Sequence, residues 1–173
     1  MRISNRQEAQ TDTHGMKLNF RWLVVLGFCL LEISVRAAQL TVGDAVPSIS
    51  ANDQHGEEFV FTNGVQFLLV AMERASGTSA NHKLAEQGAG FLESRRAVYI
   101  MDIHTMPFVA RLFALPKMRK YPQRIVLVET AGMLAWVPVQ PGRVTVLALT
   151  SEGRIQKISY WNPDSEPVAG FLQ

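Results

Sequence analysis

Residues 65–72 read Val-Gln-Phe-Leu-Leu-Val-Ala-Met, an apolar run broken only by Gln66 and free of charge. A run this short and this continuously apolar predicts a strand buried on both faces. A sheet that contains such a strand needs cover on each side, which helices usually supply. Residues 97–101 (Ala-Val-Tyr-Ile-Met) predict a second buried strand. Between the two, Ser79 is expected to cap a helix whose stripe is Leu84, Gly88, Phe91 and Leu92. Gly88 and Gly90 weaken that helix by about 1 kcal/mol each relative to Ala.

The segments around this pair set the order of elements. Residues 42–47 form an extended entry, 52–56 carry turn chemistry, and 58–61 read as a short strand closed by Asn63-Gly64. Thr105 is expected to cap a second helix, with Pro107 in its first turn, Val109, Leu112 and Phe113 at helical spacing, and Pro116 ending or kinking it. Residues 124–129 predict a strand and 134–137 its return across an Ala131-Gly132 turn. Residues 144–149 and 154–161 predict a hairpin about Ser151-Glu152-Gly153, and Ser165-Glu166-Pro167 can open a last short helix. A βαβ half followed by hairpins predicts an α/β sandwich with a mixed sheet.

The N-terminus carries a different apolar run. Lys17 and Arg21 precede residues 22–31, and Ile33-Ser34-Val35-Arg36-Ala37-Ala38 follows. Charged, apolar, then small is the order of a secretory signal. The run is too short for a bilayer core of about 30 Å, and Glu32 interrupts it. Residues 1–37 are therefore expected to be a signal segment cut after Ala37, with Met16 as an alternative start and an uncleaved anchor as the competing outcome. Cys29 follows Phe28 and reads as leader filler. Residues 38–173 then form a single exported domain, periplasmic or secreted, with no stable membrane insertion once the leader is gone. That domain holds 12 Lys+Arg, 12 Asp+Glu and no cysteine. Its neutral balance removes the electrostatic basis for nucleic-acid binding. One basic run, Arg111, Lys117, Arg119, Lys120 and Arg124, has no acid within it and reads as a solvated face.

Three phrases resemble a known scaffold. The entry V-G-D-A-V-P-S-I-S-A-N-D-Q-H-G (42–56) and the ending V-T-V-L-A-L-T-S-E-G-R-I-Q-K-I (144–158) resemble the thioredoxin-like fold in its redoxin or peroxiredoxin-like form. The unit R-I-V-L-V-E-T-A-G-M-L-A-W-V-P-V (124–139) is similar to the YtfJ family of periplasmic thioredoxin-fold proteins. The resemblance implies a thioredoxin-like α/β sandwich, but a scaffold does not transfer function. In the redox members a cysteine follows the first long strand. Here that place reads Glu73-Arg74-Ala75-Ser76-Gly77-Thr78-Ser79-Ala80-Asn81, and a hydroxyl cannot form a disulfide. The proline that precedes the penultimate strand in those proteins is missing before Val144, and Pro141 stands three residues early.

Four groups of residues are candidates for chemistry. Arg74, Ser76, Thr78 and Ser79, ahead of a helix N-terminus, suit a carboxylate or phosphate, against the plainer reading of a cap and a solvated arginine. Asp102 and His104, at the end of a parallel strand, suit an oriented imidazole for ligand binding. His104 and Met106 form a soft pair for Cu(I), which His82 or Met72 would have to complete. Glu73 paired with Glu129 or Asp102 has no support from spacing and is set aside. In residues 108–121, Phe108, Leu112 and Leu115 with the basic residues could meet a partner or an anionic membrane, with core packing as the plainer reading. A flavin (FAD or FMN) is not expected, because the cluster Gln87-Gly88-Ala89-Gly90-Phe91 lies within a predicted helix and lacks a third glycine. The leading expectation is a non-catalytic module that binds a protein or small-molecule partner without a cofactor. Copper binding or a redox-accessory role is the alternative, and a flavin-linked dehydrogenase comes third.

Overall fold

The computed structural model describes residues 38–62 and 64–173; the predicted signal segment and Asn63 lie outside them. Seven strands form one mixed sheet: β1 (Ser50–Asp53), β2 (Glu58–Val60), β3 (Phe67–Ala71), β4 (Ala97–Asp102), β5 (Val126–Val128), β6 (Val144–Leu149) and β7 (Ile155–Trp161). Their order across the sheet is β2-β1-β5-β4-β3-β6-β7. The continuous apolar run is β3, interior as expected. It pairs parallel with β4 from Phe67↔Ala97 to Ala71↔Met101, and antiparallel with β6. Between β3 and β4 runs helix α1 (Arg74–Glu86), and between β4 and β5 runs helix α2 (Phe108–Met118). A 3-10 turn at Val168–Phe171 replaces the expected last helix.

Because β3 alternates its side chains, it feeds two cores. Leu69 and Ala71 join Tyr99, Met101, Ala80, Leu84, Met118 and Trp161 on the face that carries both helices. Leu68 and Val70 face the other way, onto Val46, Ile49, Leu134, Trp136 and Val137. Helices were expected on both faces. Instead, the second face is covered by the entry segment and by residues 131–136, which are turns and not the predicted return strand. Trp136 Nε1 donates to Met133 O within this turn, and Leu40 N donates to Trp136 O, so the cover is hydrogen-bonded to itself. A truncation such as Leu69→Ala, at a fully buried position, is expected to cost about 2–5 kcal/mol.

Three other expectations change. Strand β1 occupies part of what read as a turn, because Asn52 finds partners in both β2 and β5 and Asp53 finds one in β5. Helix α1 begins at Arg74, so Ser79 is not its cap; it ends at Glu86, and Gly88 takes φ +83, outside the helix it was expected to weaken. Apart from Ala80, residues 76–81 (Ser-Gly-Thr-Ser-Ala-Asn) are poor helix formers. Tertiary packing holds them helical: Ser76, Gly77, Ala80, Asn81 and Leu84 are all buried. Gly77 permits the close approach, since a Cβ there would stand 2.8 Å from Met101 Cε. Finally, α2 starts after Pro107 with no side-chain cap from Thr105, and it continues two residues past Pro116.

Candidate functional site

Helices α1 and α2 lie over the same face of the sheet, and a groove of about 340 Å³ opens between them. Met101 of β4 lies in it; Arg74, Thr78 and Asn81 line it from α1, and Ala110, Phe113, Ala114, Lys117 and Met118 from α2, with Met106 and Tyr121 just outside that helix. The spacing i, i+4, i+7 puts Arg74, Thr78 and Asn81 on one helical face. Asn81 is only 3% exposed, and its Oδ1 has no hydrogen-bond partner. Its Nδ2 reaches only the Met101 sulfur, at 3.9 Å. An unpaired buried polar group costs about 1–3 kcal/mol, and among the described residues Asn81 Oδ1 shares that condition only with Gln123 Oε1.

The outer side of α2 is more unusual. Phe108 is 74% exposed, Val109 64%, Leu112 55% and Phe113 70%. The sequence suggested that this stripe packs on the core. Of Phe108, Leu112 and Leu115, read as core-facing, only Leu115 packs inward, together with Ala114 and Met118, while Phe108 and Leu112 stand exposed beside Val109 and Phe113. Of the basic run, Arg111, Arg119 and Arg124 are engaged. Arg111 Nε donates to Met106 O (2.9 Å), Nη2 to Ile103 O (3.0 Å), and Nη1 to Glu129 (2.6 Å), which locks the turn from β4 into α2. Arg119 Nε donates to Gln54 O, and Arg124 Nε to Asp53. Among the described residues, Arg74 and Lys117 make no ion pair.

The predicted site residues are only partly assembled. Ser76 and Thr78 donate their hydroxyls to Glu73 O and Arg74 O, within α1 itself, so they do not form an anion loop. Ser79 does not line the groove. Asp102 and His104 do meet: Asp102 Oδ1 accepts the His104 backbone N–H at 3.0 Å and lies 2.7 Å from Nδ1. With Asp102 largely buried and His104 about one-third exposed, the pair fixes one ring nitrogen and leaves Nε2 outward. Met106 turns into the groove, whereas His104 does not line it, and His82 packs edge-on against Tyr121 with Nε2 3.3 Å from its hydroxyl. The three proposed copper donors thus have three different surroundings. Glu73 pairs with neither acid considered for it; its Oε2 accepts Gly142 N–H at 3.0 Å, beside the start of β6. No peptide bond among the described residues is cis, Pro141 included. Sequence reasoning missed Asn81 and the locking role of Arg111, because neither belongs to a motif.

This arrangement of strands has relatives among solved structures. It is similar to a peroxiredoxin-like protein from Aquifex aeolicus (15% identity over 72% of this chain and 78% of that one, TM-score 0.51). It is also similar to the thioredoxin domain of a thiol-disulfide oxidoreductase from Bacteroides vulgatus (14%, 78% and 100%, 0.53) and to peroxidoxin BcpB from Mycobacterium tuberculosis (15%, 78% and 95%, 0.50). The fold is thioredoxin-like, of the redoxin type. No family model matches the chain, and no curated protein matches it in sequence. In this thioredoxin-like domain, the groove and the Asp102–His104 pair both lie toward the carboxyl ends of the parallel strands β3 and β4, where α/β folds commonly place ligands.

Proposed function

We propose that this is an exported, cysteine-free thioredoxin-like domain that acts as a non-catalytic interaction module, using the groove and the outer face of α2. The observation that carries the reading is the row Phe108, Val109, Leu112 and Phe113, four large apolar side chains exposed side by side. Contiguous apolar surface of this kind marks contact sites. The magnitudes say what the partner must do. Burying what is still exposed of these four side chains returns roughly 4–8 kcal/mol. Association costs about 4–15 kcal/mol, so the face alone supports only a weak complex. The adjoining groove is needed for a firmer one.

Two sequence features support the rest. The leader-like N-terminus supports export, and the similarity of residues 124–139 to YtfJ proteins agrees with a periplasmic setting, although this segment is a strand and a covering turn here. The place after β3 that holds a reactive thiol in redox members holds Glu73 and the first turn of α1. Without a thiolate nucleophile, neither disulfide exchange nor thiol-dependent peroxide reduction can proceed. The purified protein is expected to show neither activity above a boiled control, and turnover in either assay defeats the reading. Selection from a random peptide display library tests the positive half. Enriched binders should be lost in Leu112→Glu and Phe113→Glu; failure to enrich, or binding indifferent to both changes, counts against the module.

A further inference from the structure

We infer that the α1–α2 groove recognises a peptide bearing a carboxylate beside an apolar residue, seated through its backbone amide on Asn81. The inference rests on the interaction-module reading and specifies its ligand. Asn81 supplies the central argument. Its carbonyl lacks a donor and its amino group has only a thioether, so the 97% buried amide of a groove-lining residue is under-bonded at both ends. The complement of a primary amide is another amide: a peptide N–H can donate to Oδ1 while the same backbone accepts from Nδ2. A fatty acid, ionised at neutral pH, offers no such donor.

The charge pattern supplies the second part. Arg74 on α1 and Lys117 on α2 line the groove from opposite helices, and neither has an acidic partner among the described residues. Of the acidic side chains near α2, Glu129 is taken by Arg111. A carboxylate in the groove gains a charge-assisted hydrogen bond from Arg74 or Lys117 and long-range attraction from the other. The third part is apolar: Met101, Met106 and Phe113 offer adaptable thioethers and an aromatic ring to a side chain. A volume of about 340 Å³ lies at the small end of ligand sites and fits one or two residues, not a folded element.

The carboxylate has two sources, a chain terminus or an acidic side chain, and four probes separate them. These are N-acetyl-Leu-Phe with a free carboxylate, its C-terminal amide, N-acetyl-Glu-Phe amide, and decanoate, each titrated against the purified full chain by calorimetry and by the methionine methyl NMR signals. Binding of the first probe, about tenfold weaker as the amide, with shifts at Met101 and Met106, assigns a terminal carboxylate. Recovery by the glutamyl amide assigns a side chain instead. Either supports the inference if Arg74→Glu and Lys117→Glu, both at groove-lining surface positions, each weaken binding. Asn81→Leu, checked for folding by circular dichroism, should remove the preference for the peptides over decanoate. Decanoate binding as tightly as the peptides, no binding of any probe at millimolar concentration, or indifference to Arg74→Glu and Lys117→Glu overturns it. Display-selected peptides that need Leu112 and Phe113 but not Arg74 or Lys117 would sink this inference and leave the interaction module standing.

Discussion

Replacing Gln54 with alanine should destabilise this domain more than any surface position suggests. Gln54 follows β1, and it is 2% exposed. Its Nε2 donates to Gln123 O (2.8 Å), and its Oε1 accepts from Ile125 N (2.8 Å). Its own N–H donates to Ile125 O at 3.1 Å, and its carbonyl accepts from Arg119 Nε at 2.9 Å. The side chain thus extends the β1–β5 ladder beyond Asp53↔Val126, while the backbone ties down the end of α2. Truncation leaves a carbonyl on Gln123 and an N–H on Ile125 without partners, and these residues are 5% and 0% exposed. At about 1–3 kcal/mol for each orphaned group, the loss is roughly 2–6 kcal/mol, a large share of the 5–15 kcal/mol typical of a whole domain. Urea unfolding followed by tryptophan fluorescence measures it, with the midpoint falling at an unchanged slope. Gln54→Glu keeps the shape but turns a carboxylate oxygen toward Gln123 O, and should cost at least as much at neutral pH. A loss below about 1 kcal/mol in Gln54→Ala would refute the reasoning, since water would then be replacing both bonds without penalty.

Other outcomes follow from the same structure. Phe113→Glu and Leu112→Glu, on the outer face of α2, should change stability by no more than about 0.5 kcal/mol; a loss above 2 kcal/mol in urea titration would mean that the face is packed. Burial raises the Asp53 carboxyl, but the backbone N–H groups of Glu57 and His55 and the Arg124 guanidinium outweigh it and hold the group below the usual carboxylate range. The unfolded chain therefore takes up this proton first as pH falls, so the stability Asp53 provides is present at neutral pH and lost on acidification through its folded pKa. Asp53→Asn should flatten the acid limb of the stability profile below about pH 4, and an unchanged limb would disprove the assignment. Cu(I) competition against a chelator should show binding no tighter than in the His104→Ala/Met106→Leu double variant, because Asp102 and Tyr121 separately engage the two histidines. Tight binding lost in either single variant would revive the copper site.

Periodicity made the sheet legible, and it failed where two readings share one period. Strand β3 and the β6–β7 hairpin need no more than their apolar runs and a Ser-Glu-Gly turn. Helix α2 is apolar on both sides, so its spacing shows a helix without saying which side meets the sheet. The small Ala114 lets the helix approach, and Phe108, Leu112 and Phe113 are left outside. Residues 134–137 (Leu-Ala-Trp-Val) form a short apolar run that would suit a strand, yet the exposed second face of the sheet needed a cover more than another edge.

The amino-acid sequence by itself determined the class of fold, the absence of a thiol from residues 38–173 and the buried strands, since these depend on composition and local pattern. The pairing of Asp102 with His104 was also within its reach, because two residues separate them in the chain. Asn81 against Met101, Gln54 against Gln123 and Ile125, and Arg74 and Lys117 on one groove were decided only by the tertiary structure. Each joins residues 20 or more positions apart, and side chains so placed meet only when the sheet has set the distance between the elements that carry them.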